Sequence, residues 1–277
     1  MLKIKLLKVG ADVEGFLQDS SSRHRPCVQL ILGTKEKPHQ ILSLPPGFCI
    51  QEDNVMPEYN IPPATTKEEF SENITTMSSW LRRHFASKFN LNYTTAASAM
   101  FELRYLQSPQ AQKFGCEPDY CAWTRSENKI PETVNPQLRT AGGHIHLSYS
   151  INGIQNPQEH PEYIEIVEKL VKANDLYLGI PSLFLDKDQE RRKMYGKAGA
   201  FRPKPYGHEY RVLSPFWTKN TNLSDWAFTQ IERSVAAVNS GMEFPENMGR
   251  ILQNTINQSK LQAAAQLIRH YNLELVA

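Results

Sequence analysis

Four short stretches of this chain each carry two chemically capable polar side chains separated by one apolar residue: Asp12 and Glu14, Glu58 and Asn60, His144 and His146, Glu209 and Arg211. In an extended strand, residues i and i+2 project from one face and the residue between them from the other. Each stretch therefore reads as a strand with a polar face and an apolar one, Val13, Tyr59, Ile145 and Tyr210 lying on the apolar side. Four such strands in one sheet gather carboxylates, imidazoles and a guanidinium on a single surface. A face so rich in acids needs neutralising, and hard divalent cations do this through oxygen ligands. Imidazole among carboxylates suits Mg²⁺ or Mn²⁺ better than a thiolate-type zinc site. Any single pair also matches the solvated side of a half-exposed strand. The recurrence, each time beside Gly or Pro, is the signal, and the glycines before His144 leave room for a ligand or a second backbone.

Around these stretches, strands and helices intermix without regular βαβ alternation. Strands are expected over residues 2–9, 26–32, 48–51, 53–60, 98–106, 120–125, 145–149 and 209–214. A helix is expected over 66–89, capped by Thr66, with Glu68 and Glu69 in its first turn and Phe70, Ile74, Met77, Leu81 and Phe85 as its apolar stripe. Further helices are expected over 161–178, over 224–240 with Ser224 as cap, and over 245–271 with a break near Asn257. The pattern points to an α+β fold in one domain, residues 1–277. A largely antiparallel sheet lines the polar face and helices pack on its other side.

With 277 residues, 40% apolar and 22% charged, the chain is long enough for a sizeable core. A net charge of +2 gives no support to a nucleic-acid or membrane-surface partner. No run is long enough to span a bilayer, and the N-terminal MLKIKLLKVG reads as a strand and not a signal peptide. Cys27, Cys49, Cys116 and Cys121 form no CxxC pair, which favours reduced thiols and a cytoplasmic setting. Cys116 and Cys121 could share a zinc ion or be plain buried thiols.

The basic segment from Arg191 to Arg211 includes Arg192, Lys197 and Arg202, and its glycines, Gly196 and Gly199, favour a constrained loop over a helix. Set against a carboxylate–metal cluster, such a loop suits a polyphosphate, arginine binding its oxygens bidentately and lysine as a point charge. Tyr195 and Phe201 interleave with the basic residues, which leaves a basic surface loop touching RNA as the other reading. No GxxxxGK[ST], GxGxxG or GxSxG motif occurs.

Taken together, GADVEGFL, DNVMPEYNIPPA, GGHIHLSY and YGHEYRVLSPFW resemble the glutamine synthetase-like carboxylate–amine ligases, and among them the phage-encoded amidoligase-type (COOH–NH2 ligase) family described from large podovirus genomes. The four segments span residues 10–217 in that superfamily's order, GGHIH and EYR being the more specific parts. The resemblance implies a glutamine synthetase-like sheet holding divalent metals that bind ATP. It also implies formation of an amide through an acyl phosphate. Asp12, Glu14, Glu58, His144 and Glu209 match metal ligands, with Asn60 as companion. His146 matches a phosphate contact and Arg211 the arginine on the transferring phosphoryl group. Arg191, Arg192, Lys197 and Arg202 match further phosphate contacts. Asp12 departs from the pattern, since the synthetases carry Glu there. The large flanking regions that shape their amino-acid and ammonia sites have no counterpart. The implied partners are a carboxylate-bearing and an amine-bearing substrate, with a peptide, a protein, a cell-wall amine and a small metabolite all open. Two other readings share these residues: a guanidino-kinase-like phosphotransferase, and a non-catalytic nucleotide-binding interaction protein of a phage.

Overall fold

The computed structural model describes residues 2–112, 119–129 and 135–276. In chain order the first half holds β1 (Ile4–Glu14), β2 (Phe16–Gln18), β3 (His24–Arg25), β4 (His39–Gln40), β5 (Cys49–Asp53), β6 (Met56–Asn60), α1 (Lys67–Phe89), β7 (Asn92–Thr94), β8 (Ser98–Met100) and α2 (Pro109–Gln112). Then come β9 (Tyr120–Cys121), β10 (Ser126–Glu127), β11 (Leu138–Thr140), β12 (Gly143–Ile151), α3 (Tyr163–Asn174), α4 (Ile180–Leu185) and α5 (Glu190–Met194). The chain finishes with the hairpin β13 (Ala200–Lys204) and β14 (Gly207–Tyr210), followed by α6 (Thr221–Asn239), α7 (Glu246–Asn257) and α8 (Leu261–Tyr271).

Among the described residues, nine strands form one antiparallel sheet in the order β10-β9-β13-β14-β12-β1-β6-β5-β4. The expected α+β architecture is found. β12 shows why one face of this sheet is covered: Ile145, Leu147, Tyr149 and Ile151 are fully buried, while His144, His146, Ser148 and Ser150 alternate with them on the other side. The apolar face joins α1, α3 and α6 in one core. Helix α1 follows its sequence signals, with the Thr66 hydroxyl accepting the Glu69 N–H at 3.2 Å and the expected stripe buried. Phe70 from that stripe stacks on Trp217, ring centroids 5.5 Å apart.

Several local expectations are corrected. Residues 26–32 form a turn and no strand: Gln29 is left-handed at φ 64, and only Cys27 and Ile31 of the run are buried. The 98–106 strand stops at Met100, and Leu103–Leu106 winds into a 3₁₀ turn. The 120–125 strand keeps only Tyr120 and Cys121. The helix expected over 161–178 continues through a π turn (Asp175–Gly179) into α4, ending at Leu185. The basic segment is no loop but a short helix, a turn and a hairpin. Its glycines end α5 without preventing it, since Tyr195 and Gly196 both donate their N–H groups to the Arg191 carbonyl. α6 is capped by Asn220, whose Oδ1 accepts from Leu223 N at 3.0 Å, while Ser224 is buried against the Trp217 carbonyl. β14 ends at Tyr210, although Arg211 N and Leu213 O still bond Ala200 and Gly143. Cys116 lies outside the described residues. Cys27, Cys49 and Cys121 are free thiols. Among the described residues, no helix is long and apolar enough to cross a membrane.

Candidate active site

Strand register assembles the polar pairs into three rows on the uncovered face. Arg202, Glu209, His146 and Gly10 pair across β13, β14, β12 and β1. His144, Asp12, Asn60 and Cys49 pair across β12, β1, β6 and β5, and Glu14, Glu58 and Gln51 pair across β1, β6 and β5. Residues directly opposite each other in an antiparallel sheet have Cβ atoms roughly 4.5–5.5 Å apart, so side chains within and between rows meet.

Asp12 is the hub. Its Oδ1 lies 2.9 Å from His144 Nδ1 and its Oδ2 3.2 Å from His146 Nε2. Burial presses Asp12 toward protonation, but the fields of His146 and His144 outweigh it and hold the carboxyl well below its usual range. Glu209, 0% exposed, collects three cations: Arg211 contacts it directly, and Arg202 NH1 and Lys204 Nζ each lie 3.4 Å away. Burial and Asp12 push its pKa up, yet Arg211, His144 and His146 bring it below the usual carboxylate value.

The two histidines differ in what they have left to give. His144 Nε2 faces Arg191 NH2 at 3.5 Å, and its Nδ1 faces Asp12, Glu209 at 3.3 Å and Arg211 NH1 at 3.4 Å. Burial and Arg211 push His144 down to about 4, so it is neutral, with Nδ1–H donating to Asp12 as the consistent tautomer. Gly142 permits this placement, because a Cβ there would run into the His144 imidazole. His146 Nδ1 pairs with the Tyr206 hydroxyl at 2.6 Å. Its Nε2 is buried and off the hydrogen-bond direction to Asp12, leaving it without a hydrogen-bond partner among the described residues. Burial lowers the His146 pKa, but Asp12 and Glu209 raise it overall.

A divalent cation fits this arrangement. Asp12, His146 and Glu209 each offer a ligand atom, all within 4.8 Å of one another, and His146 Nε2, without a hydrogen-bond partner among the described residues, lies 3.2 Å from Asp12 Oδ2. Tyr206 on Nδ1 is the outer partner that orients such a ligand. In this arrangement His144 Nδ1 is engaged by Asp12, whereas His146 Nε2 has no hydrogen-bond partner among the described residues.

Beside this cluster, Glu14 accepts the Gly142 N–H at 2.5 Å and Glu58 accepts from Gln51 Nε2 at 2.7 Å. Burial, with Asp53 nearby, lifts Glu14 to about 8 against the pull of Arg191 and Arg211. Burial and the fields of Asp12, Asp53 and Glu14 lift Glu58 well above its usual value.

Of the basic residues, Arg211, Arg202 and Arg191 reach the cluster. Arg191 also donates to the Arg211 carbonyl at 2.8 Å. Arg192 turns the other way, onto the carbonyls of Asp186 and Asp188 and the Asp186 carboxylate. Lys197 sits half-buried in the turn before β13, and among the described residues its ammonium makes no ion pair. Sequence reasoning passed over four participants: Tyr206, Lys204, Gln51 and Asp119, whose Oδ2 lies 3.6 Å from Arg211 Nε. Lys204 was findable, being two residues from Arg202 in an extended run. The comparison with curated proteins found no match. Residues 136–237, which carry both histidines, Glu209 and Arg211, match the model of the family described as phage phiEco32-like COOH.NH2 ligase-type 2, the family that the sequence motifs resemble.

Proposed function

We propose that this protein is an ATP-dependent carboxylate–amine ligase using Mg²⁺ or Mn²⁺ and forming an amide through an acyl phosphate. One observation carries the reading: the Asp12–His146–Glu209 cluster lies under three basic side chains, Arg202, Lys204 and Arg211, which converge on Glu209. The family match supports the reaction class and its description a phage origin; the host cytoplasm is the compartment this reading implies.

A carboxylate is a poor acyl donor because its leaving group would be oxide. In the first step a substrate carboxylate oxygen attacks the γ-phosphorus of ATP, the bond to the β,γ-bridging oxygen breaks, and ADP leaves with the electron pair. In the second, the amine nitrogen attacks the acyl carbon, the carbon–oxygen bond to the phosphoryl group breaks, phosphate departs and the nitrogen loses a proton. Bound divalent cations supply neutralisation of the phosphate oxygens, and phosphoryl transfer otherwise needs mainly positioning and charge.

The chain's own groups divide this work. Asp12, His146 and Glu209 hold one cation, and His144 keeps Asp12 oriented and ionised. Glu14 and Glu58, with Asn60 alongside, extend the cation-binding face. With Glu209 committed to a cation, Arg202, Lys204 and Arg211 are freed to turn onto phosphate oxygens, Arg211 nearest the transferring group. Arg191, on His144 and the Arg211 carbonyl, backs them, and Lys197 and Arg191 are kept as further phosphate contacts. The substrates are a carboxylate and an amine borne by a peptide, a protein, a cell wall or a small metabolite.

The test replaces the amine with hydroxylamine. Purified protein, Mg²⁺, ATP and a panel of carboxylates are expected to give a hydroxamate with one ADP released per product. Failure to bind Mg²⁺–ATP by calorimetry sinks the reading, and a phosphorylated guanidine without hydroxamate assigns kinase chemistry instead.

A further inference from the structure

Arg192 is expected from the sequence at the phosphates, yet its buried side chain serves the backbone between α4 and α5 instead. NH1 donates to the Asp188 carbonyl, and NH2 reaches the carbonyls of Asp186 at 3.1 Å and Ser182 at 3.5 Å. The Asp186 carboxylate, 3.7 Å from NH2, also accepts from Ser214 Oγ at 2.7 Å, which ties this corner to the chain after β14. The neighbouring Leu213 carbonyl accepts Arg191 Nε at 3.2 Å, while Arg191 NH2 reaches the Arg211 carbonyl and His144 Nε2.

Helix α5 has five residues. A helix of little more than one turn has no stability of its own in water, because the cost of nucleation is not yet repaid. Its direction, and with it the direction of Arg191, is set by what holds its first turn. Asp188 Oδ1 accepts the N–H groups of Glu190 at 2.9 Å and Arg191 at 3.3 Å, and Arg192 holds the Asp188 carbonyl. A planar guanidinium suits this task, since its donors meet several acceptors at fixed angles and an ammonium does not.

We infer that Arg192 is a positioning residue: its clamp on Asp186 and Asp188 sets α5 so that Arg191 enters the site against His144. The inference rests on the place proposed above for Arg191 behind the phosphate-binding groups. Arg192 itself touches no substrate. It acts through Arg191, so replacing both arginines costs no more than replacing Arg191 alone.

The test is a double-mutant cycle on the full chain, with Mg²⁺–ATP binding read by calorimetry and the His144 ring nitrogens by ¹⁵N magnetic resonance. Arg191→Ala and Arg192→Ala are each expected to weaken binding about tenfold, and the double variant about tenfold and not a hundredfold. The His144 ring signals are expected to shift alike in both single variants, because each removes the donor from Nε2. Should Arg192→Ala fail to fold, Arg192→Lys keeps the charge and the stem but loses the fork, and it is expected to give the same ring shift with binding several-fold weaker. A folded Arg192 variant with wild-type affinity, losses that multiply in the double variant, or an unshifted His144 ring overturns the inference. A wild type that binds no Mg²⁺–ATP overturns the proposed function instead, and the His144 ring then decides the role of Arg192 by itself.

Discussion

Glu209→Gln isolates the charge on which the candidate site turns, because the amide keeps the shape of the carboxylate and removes its anion. In the wild type that anion, wholly buried, compensates Arg211, Arg202 and Lys204. Arg202 and Lys204 keep access to water, with side chains 16% and 27% exposed, so losing those contacts costs little. Arg211 is 9% exposed, with Asp119 3.6 Å away as a further anionic neighbour, so the cost falls mainly on it. Breaking a buried pair by removing one partner costs about 3–5 kcal/mol, and the Asp119 contact places this case near about 3 kcal/mol. The pKa of Glu209 is depressed in the fold, so its contribution is present above the unfolded carboxyl value and is lost as pH falls through the folded one. The gap between wild type and variant is therefore widest near neutrality and closes below a pH of about 4. The assay is urea unfolding followed by tryptophan fluorescence, with and without MgCl₂. A site cation at about 100 times its Kd adds about 2.7 kcal/mol to the wild type and is expected to add far less to the variant. A variant as stable as the wild type near neutrality, or one stabilised equally by Mg²⁺, would refute the assignment of Glu209 to both roles.

Other consequences follow from the same geometry. Tyr206→Phe removes the hydroxyl 2.6 Å from His146 Nδ1, so Mn²⁺ affinity at that position is expected to drop about 10-fold or more; unaltered affinity counts against the orienting role. Gly142→Ala drives a methyl into the His144 ring, and ATP turnover is expected to fall on the order of 10²-fold while circular dichroism stays native. Asp175 sits in the π turn beneath the sheet, accepting from Trp123 Nε1 at 2.6 Å and Tyr210 OH at 2.9 Å, and burial raises it to about 7. Because the folded form holds its proton more tightly, stability declines as pH rises from about 4 to 7 and levels off above. Asp175→Asn is expected to flatten that slope in urea titrations, and a persisting slope would assign it to another group.

Much of this site was written locally. The period of two in DVE, EYN, HIH and EYR assigns each side chain to one face of its strand, because alternation depends only on extended backbone. The stripe from Phe70 to Phe85 does the same for α1 at helical spacing. The 26–32 run shows the limit of such reading: its composition is strand-like, yet it turns at Gln29, and only the neighbours it packs against decide that.

What the chain by itself determined was therefore which residues share a face; what the tertiary structure decided was which of them meet. Asp12 stands opposite His144 and Glu14 opposite Glu58 through hydrogen-bond register, a relation between segments far apart in sequence. Arg191 and Arg192 are adjacent and chemically alike, but successive residues on a helix point about 100° apart. The packing of α5 sends one guanidinium to His144 and the other to the carbonyls of Asp186 and Asp188. The same holds for the histidines. Tyr206 comes from the β13–β14 turn to occupy one nitrogen of His146 and leave the other facing the carboxylates, and no spacing within GGHIH specifies that neighbour.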